Sequence, residues 1–214
     1  MNRRKFLSMV SAGVAAALTA CRRESTTPQI RSAEPNPARA PSSPTAAQAL
    51  APTPSCGEPE QATVAQTEGP FFTPNSPERA SLLAGGIDGT RLVLTGKVMH
   101  TDCQPVARAL LDFWQADNDG EYDNRGYRLR GHQFTDPTGS YRLETIIPGH
   151  YSGRTRHIHV KVQEPRGPIL TTQLYFPGVA QNRRDGIFDE RLVIDMRDSA
   201  GGGKEGSFDF VLRA

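Results

Sequence analysis

Hydrophobic and polar residues alternate along several short stretches between residues 91 and 212. Alternation with a period of two is typical of a β-strand that buries one face. Such stretches occur at residues 91–99, 107–115, 141–146, 154–162, 170–176, 191–195 and 207–212. Clusters of Gly, Pro and Asp, which favour tight turns, separate them. This series of short strands predicts an all-β fold, an antiparallel β-sandwich with irregular loops.

The stretch at residues 157–162 combines this pattern with candidate chemistry. In a strand, His157 and His159 share one face, while Ile158, Val160 and Val162 share the other. The apolar face predicts burial in the core. The two imidazoles then lie together on the opposite face, either as a surface pair or as half of a metal site. Spacing alone leaves both interpretations open.

Composition agrees with a strand-rich domain. The chain has 214 residues, enough for one domain with a sizeable core. Aromatic residues make up 7%, and the 20 glycines and 17 prolines favour strands and turns over helices. One short helix is expected at residues 76–84, where Pro77 suits the first turn. The formal net charge of +2 and the lack of a basic stripe give no indication of a nucleic-acid partner.

The N-terminus has the features of a targeting signal. Arg3 and Arg4 precede Phe6-Leu7 and an apolar run at residues 9–20, which is too short to span a membrane comfortably. This arrangement resembles a twin-arginine export signal of bacteria. We therefore predict that residues 1–20 are a signal peptide and that the protein is exported to the periplasm or the cell surface.

The residues after the signal predict a lipid anchor and a tether. Leu18-Thr19-Ala20-Cys21 resembles a lipobox, which would make Cys21 a lipidated residue and the lipid the sole attachment to a membrane. The alternative is plain cleavage of a soluble secreted protein. The rest of residues 21–55 is rich in Pro, Ala, Ser and Thr and contains no aromatic residue, so it cannot bury enough apolar surface to fold alone. We interpret it as a disordered tether, followed by the sandwich domain at residues 56–214.

Two cysteines lie within the predicted domain. An exported protein folds in an oxidising compartment, where disulfides persist. With Cys21 assigned to the lipid, we predict a disulfide between Cys56 and Cys103 that ties the start of the domain to the strands. Two buried free thiols are the alternative.

Residues 114–159 carry a series of short motifs in a specific order. Trp114 is followed by Gly120-Glu121-Tyr122, by Thr135-Asp136 with Gly139-Ser140-Tyr141, by Thr145-Ile146-Ile147-Pro148-Gly149-His150-Tyr151, and by the histidine segment that begins with Arg154. In this order the motifs resemble the intradiol ring-cleavage dioxygenases, non-haem iron(III) enzymes that include catechol and protocatechuate dioxygenases. Residues 67–72 resemble the start of that family's catalytic domain, and residues 171–173 resemble the segment with its active-site glutamine.

The resemblance implies a set of site residues. The Fe(III) ligands fall on Tyr122, Tyr151, His157 and His159, with Tyr151 also acting as the base for a catechol proton. Arg154 matches the arginine that steadies charge on the bound substrate, and Gln173 would hold that arginine. Only five residues separate Tyr151 from His157, which is short for this family and leaves the substrate undetermined.

The activity that the resemblance implies is Fe(III)-dependent cleavage of a catechol-type aromatic diol by O2 to a cis,cis-muconate-type diacid. Two phenolates and two imidazoles suit a hard ferric ion, because tyrosine, whose ordinary pKa is about 10, needs a strongly charged cation to lose its proton at neutral pH. The partners are then a small aromatic diol and O2. The sequence is compatible with an oligomer.

Other interpretations stay open on the residues alone. Tyr127 and Tyr141 compete with Tyr122 and Tyr151 as ligands. His157 and His159 together with Glu164 mimic the metal-binding pattern of a cupin. A zinc hydrolase is a further alternative, as is a non-catalytic cell-surface binding module that retains the family's β-sandwich.

Overall fold

The computed structural model describes residues 61–151 and 153–213 of the chain. Nine strands and two short 3-10 helices follow one another along this part of the chain. They are β1 (Arg91–His100), β2 (Leu110–Trp114), β3 (Arg130–Phe134), β4 (Ser140–Ile146), β5 (His157–Gln163), β6 (Ile169–Tyr175), 3-10 helices at Ala180–Arg184 and Glu190–Leu192, β7 (Asp195–Asp198), β8 (Lys204–Ser207) and β9 (Phe210–Leu212).

The strands form the two sheets of a β-sandwich. One sheet is antiparallel, with the strand order β3-β2-β5-β6. The other has the order β4-β1-β8-β7, and β9 pairs with β1 beyond the end of β8. The predicted all-β sandwich is confirmed. Two of its strand pairs, β1 with β8 and β1 with β9, are parallel and are not anticipated by the alternation pattern.

The core lies between the sheets, where alternating residues of the strands meet. Leu92 and Leu94 of β1 are at most 1% exposed, and Ile158, Val160 and Val162 of β5 are fully buried. The apolar face predicted for residues 157–162 is therefore confirmed. Burying a side chain of this size stabilises the fold by about 1.5–3 kcal/mol.

The helix predicted at residues 76–84 is wrong. This segment is extended and bridges both sheets, with Glu78 beside His132 of β3 and Ser81 beside Glu144 of β4. Backbone N–H groups of the segment donate to the carbonyl oxygens of His132 and Glu144, each over 2.8 Å. The edges of two sheets thus satisfy its backbone polar groups, and this tertiary pairing outweighs the local preference for a helix.

Strand β3 is absent from the sequence prediction. Its sequence, Arg-Gly-His-Gln-Phe, has no run of apolar side chains, although Arg130 is only 1% exposed and Gln133 only 8%. Arg130 donates to the carbonyl oxygens of Asp123 and Phe71, whereas its Nη2 and Gln133 Nε2 are buried without a hydrogen-bond partner among the described residues. Alternation of hydrophobicity does not detect a strand with buried polar residues.

The last predicted strands have different boundaries. Residues 191–195 begin in a 3-10 helix, and residues 207–212 divide between β8 and β9. At the division Phe208 N donates to Thr95 O over 3.0 Å, and the Asp209 side chain accepts from Lys97 N over 2.7 Å. A Cβ on Gly96 would lie 1.8 Å from the carbonyl oxygen of Phe208, so only glycine permits this crossing.

Several sequence predictions fall outside the described residues. They are the signal peptide at 1–20, the lipidated Cys21, the tether at 21–55 and Cys56. Cys103 is disulfide-bonded, and its pairing with Cys56 stays a prediction. Within the described ranges no helix is both long enough and apolar enough to cross a membrane.

Candidate active site

The site lies on the outer face of the four-stranded sheet, opposite the core. The strand register places Trp114 between Arg130 and His159, and His159 opposite Gln173. These four side chains form a row across four strands, and none is more than 3% exposed. An outer face that is buried to this degree must be covered by another part of the chain.

The cover is the N-terminal strap, residues 66–72. The backbone N–H of its first residue donates to Thr171 O over 2.8 Å, and Gln173 Nε2 donates to Thr67 O over 2.8 Å. Gly69, at φ +70°, passes over His159, where a Cβ would lie 3.5 Å from Cε1 of the imidazole. Phe72 packs edge-on against Trp114 at 4.9 Å between ring centroids. The strap therefore keeps water away from the inner side of the site.

Three candidate ligand atoms converge under this cover. His157 Nε2 lies 3.1 Å from His159 Nε2 and 3.3 Å from Tyr122 Oη. Two neighbouring ligands that each lie about 2.0–2.1 Å from one transition-metal ion are about 2.9–3.4 Å apart. His157 Nδ1 is 2.7 Å from the carbonyl oxygen of Thr155, which directs Nε2 into the site. The spacing therefore fits a shared cation.

The state of the imidazoles supports the same fit. Burial lowers the pKa of His157 to about 4, although the hydrogen bond to Thr155 opposes this shift. Burial, followed by the charges of His157, Arg154 and Arg130, places the pKa of His159 well below its ordinary value. Both rings are neutral at neutral pH, which is the form that binds metals. His159 Nδ1 is buried and has no hydrogen-bond partner among the described residues.

The two candidate tyrosine ligands lie side by side. Tyr122 stacks on Phe71 of the strap at 4.5 Å between centroids, and Tyr151 meets Tyr122 edge-on at 5.5 Å. Burial raises the pKa of Tyr122, while the charges of Arg154 and Arg130 oppose the shift. A phenol in this setting loses its proton at neutral pH only to a cation that binds its oxygen.

Arg154 and Gln173 are in direct contact, since Arg154 Nη2 donates to Gln173 Oε1 over 2.8 Å. Arg154 Nε also donates to Asp185 Oδ2 over 2.8 Å. The residue that sequence reasoning missed here is Asp185. It follows the 3-10 helix Ala180–Arg184, and no local motif marks it.

Besides Phe72, Trp114 contacts His159, which the sequence did not predict. Its indole stacks on His159 with 4.7 Å between centroids and 5° between planes. The strand register explains the contact, because Trp114 and His159 are direct partners across β2 and β5.

The competing ligand candidates lie elsewhere. Tyr127 is 38% exposed and donates to Pro74 O, and Tyr141 is buried with its hydroxyl donating to Phe208 O. Glu164 pairs with His100 at 2.9 Å, so the cupin-like pattern does not assemble. Among the described residues no group of three or more His, Cys, Asp or Glu side chains could hold a metal ion. A metal centre at this site therefore requires the tyrosines.

Comparison with known proteins identifies the family. The sequence model of the family Dioxygenase_C, described as Dioxygenase, matches residues 67–214. Hydroxyquinol 1,2-dioxygenase of Nocardioides simplex is 32% identical over 162 residues, which cover 64% of this chain and 53% of that protein. The protocatechuate 3,4-dioxygenase beta chain of Burkholderia cepacia is 33% identical over 155 residues, 58% of this chain and 65% of that protein.

Solved structures show the same relationship. The dioxygenase domain of a dioxygenase carbohydrate-binding protein fusion from Streptomyces sp. SirexAA-E is 54% identical with a TM-score of 0.69, covering 72% of this chain and 99% of that one. The 3-chlorocatechol 1,2-dioxygenase of Rhodococcus opacus 1CP is 28% identical with a TM-score of 0.67, covering 72% and 73%. The chain spans about half to two thirds of the length of the first curated relatives that it matches. It belongs to the Dioxygenase_C family, and its relatives there are intradiol ring-cleavage dioxygenases.

Proposed function

We propose that this protein is an Fe(III)-dependent intradiol dioxygenase that cleaves a catechol-type aromatic diol with O2 to a cis,cis-muconate-type diacid. One observation carries the proposal: three candidate ligand atoms lie together in the site. His157 Nε2 is 3.1 Å from His159 Nε2 and 3.3 Å from Tyr122 Oη. The family supports it, because the relatives include enzymes named for hydroxyquinol, protocatechuate and chlorocatechol.

Four side chains would hold the iron: Tyr122, Tyr151, His157 and His159. Ferric iron supplies a strong Lewis acid that draws electron density from a bound diol. A set of two phenolates and two neutral imidazoles matches a hard trivalent ion better than a set of thiolates would. The parallel indole of Trp114 fixes the plane of His159, so the ligand needs no reorientation when a cation binds.

Tyr151 has a second role in the proposal, as the acceptor of a proton from the diol. It lies at a tight turn in which Arg154 N donates to Tyr151 O over 2.7 Å. Its side chain is only partly buried, unlike those of the two histidines. A phenolate at the mouth of the site can receive the proton of an incoming hydroxyl and release it towards solvent.

Arg154 supplies positive charge at the same mouth. Its side chain is 25% exposed, and among the described residues Asp185 and Gln173 engage two of its five N–H groups. The remaining donors can face a substrate. A fixed guanidinium in a partly dry site stabilises negative charge that develops on the ring during cleavage.

Tyr151 and Arg154 are the partly exposed residues on one side of the described site. Gly153 between them is exposed, and nothing lies within 4 Å of a Cβ built on it. By the family resemblance, the short connection from Tyr151 to His157 borders the substrate side of the site and does not define the substrate. We therefore include simple catechols, hydroxyquinol, protocatechuate and larger lignin-like aromatics as candidate substrates.

We also propose that the enzyme is exported and held at a membrane through a lipid on Cys21. The support is the sequence pattern of residues 1–21 alone. Metabolic labelling with a radioactive fatty acid tests the anchor. Label on the wild type and its loss in Cys21→Ser are expected, whereas an unlabelled wild type points to simple cleavage of the signal.

The test of the enzymatic proposal is O2 uptake over a panel of catechols, with spectra of the products. Iron-loaded protein should absorb in the visible range through tyrosinate-to-iron charge transfer and should yield muconate-type diacids. His157→Ala should lose iron and activity, while His100→Ala, a histidine on β1 paired with Glu164, should keep both. Diol binding without O2 uptake would favour the non-catalytic binding module, which the family relatives do not favour.

A further inference from the structure

Asp185 binds both the side chain of Arg154 and the backbone of the next residue, Thr155. Its Oδ2 accepts from Arg154 Nε over 2.8 Å and from the backbone N–H of Thr155 over 2.9 Å. Its Oδ1 accepts from Ile187 N over 3.2 Å. One carboxylate therefore fixes a guanidinium and the peptide group next to it, so the arginine is held at two points.

The carboxylate of Asp185 is buried from solvent, whereas the side chain of Arg154 is partly exposed. The Asp185 side chain is 1% exposed, compared with 25% for Arg154. Burial by itself raises the pKa of Asp185, but the hydrogen bonds from Arg154, Thr155 and Ile187 outweigh burial and hold the pKa below its ordinary value. The group is charged at neutral pH and is satisfied by donors on several sides.

Gln173 and Asp185 hold different nitrogens of the guanidinium. Gln173 Oε1 accepts a hydrogen bond from Nη2, and Asp185 Oδ2 accepts one from Nε. Together they fix the plane of the guanidinium group. Tyr175 Oη lies 3.1 Å from Gln173 Oε1, and burial raises the pKa of Tyr175 to about 12, which keeps that hydroxyl neutral. Asp185 is thus the one anion in direct contact with Arg154 among the described residues.

We propose that Asp185 is a positioning residue, which acts by orienting the Arg154 guanidinium towards the substrate and neither binds iron nor touches the diol. This inference rests on the proposed function of the site. It predicts that removing the charge of Asp185 weakens turnover, because the arginine is no longer held in the orientation that stabilises developing charge. It also predicts that iron binding survives, because Asp185 contacts none of the four candidate ligands.

Asp185→Asn tests the inference in the iron-loaded full-length protein. Oxygen uptake should give a kcat about 10- to 100-fold lower than that of the wild type, by analogy with the loss when the hydrogen-bond partner of a metal ligand is replaced. Iron content and the dissociation constant of catechol, titrated anaerobically by the visible absorption band, should be unchanged. Asp189→Asn is the matched control. Asp189 pairs with Arg191, whose side chain is 66% exposed, and this variant should behave like the wild type.

A double-mutant cycle separates positioning from general structural support. In an Arg154→Gln background, Asp185→Asn should cause no further loss of kcat, because its effect passes through the arginine. Additive losses, loss of iron in Asp185→Asn, or a wild-type kcat in Asp185→Asn would each overturn the inference. If Asp185→Asn does not fold, Asp185→Glu replaces it, since it keeps the charge but displaces the carboxylate by one methylene. A lowered kcat with full iron then supports positioning, and a wild-type kcat overturns it.

These outcomes are separate from those of the proposed function. A wild-type protein that is iron-loaded but inactive on every diol contradicts the proposed function itself. An active wild type with an equally active Asp185→Asn variant contradicts only the role of Asp185.

Discussion

Gln173 connects three parts of the site, so its replacement by leucine should affect stability and turnover together. The side chain is fully buried on β6, opposite His159 in the strand register. Its Oε1 accepts from Arg154, and its Nε2 donates to Thr67 O in the N-terminal strap, each over 2.8 Å. Leucine keeps a similar volume and removes both hydrogen bonds. It also removes the acceptor 3.1 Å from Tyr175 Oη, but that hydroxyl keeps Ile187 O as an acceptor over 3.1 Å.

The expected loss of stability follows from these two bonds. A hydrogen bond to a charged group contributes about 1.5–3 kcal/mol and a neutral one about 0.5–1.5 kcal/mol. The lower values of both energy ranges apply, because water can reach the partly exposed Arg154 and the exposed Thr67. The free energy of unfolding should therefore fall by about 2–2.5 kcal/mol, which lowers the Tm of a domain of this size by about 4–10 °C.

Thermal unfolding and steady-state O2 uptake measure the two effects. Thr172→Val is the matched control on the same strand. It removes the hydrogen bond from Thr172 Oγ1 to Val64 O, and the loss of this bond should lower stability without lowering kcat. Gln173→Leu should lower stability more than this control does and should reduce kcat about tenfold or more, because Arg154 loses the side chain that accepts from its Nη2. A variant with wild-type kcat, or one no less stable than Thr172→Val, would refute the reasoning.

Three further predictions concern the ligands and one close backbone contact. His157→Ala should lose iron, measured by metal analysis, while circular dichroism shows that the sandwich is retained; an active, iron-loaded variant contradicts the ligand assignment. Tyr151→Phe should keep part of its iron and lose most turnover, and a fully active variant rules out a role for the phenol as base. Gly96→Val should destabilise the domain by about 3 kcal/mol or more in denaturant titrations, since its Cβ would overlap the carbonyl oxygen of Phe208; unchanged stability shows that β8 and β9 can shift apart.

Local sequence determined the parts of the fold that depend on period and order. The two-residue period of residues 157–162 separates His157 and His159 from the buried Ile158, Val160 and Val162, and the structure shows this division. It does so because side chains of a strand must alternate between its faces. The motif order also predicts the family, which the comparison shows. The burial of both histidines was not predictable, since it depends on a strap about 90 residues earlier in the chain.

Only the tertiary structure decided which distant side chains meet. Asp185 reaches Arg154 across 31 positions, and Gln173 reaches Thr67 across 106, and neither spacing carries a periodic signal. The extended segment at residues 76–84 has a helix-like local sequence but satisfies its backbone on the edges of β3 and β4. In this segment long-range hydrogen bonding outweighed local preference, because a buried polar group costs more unpaired than a backbone segment gains from its favoured conformation.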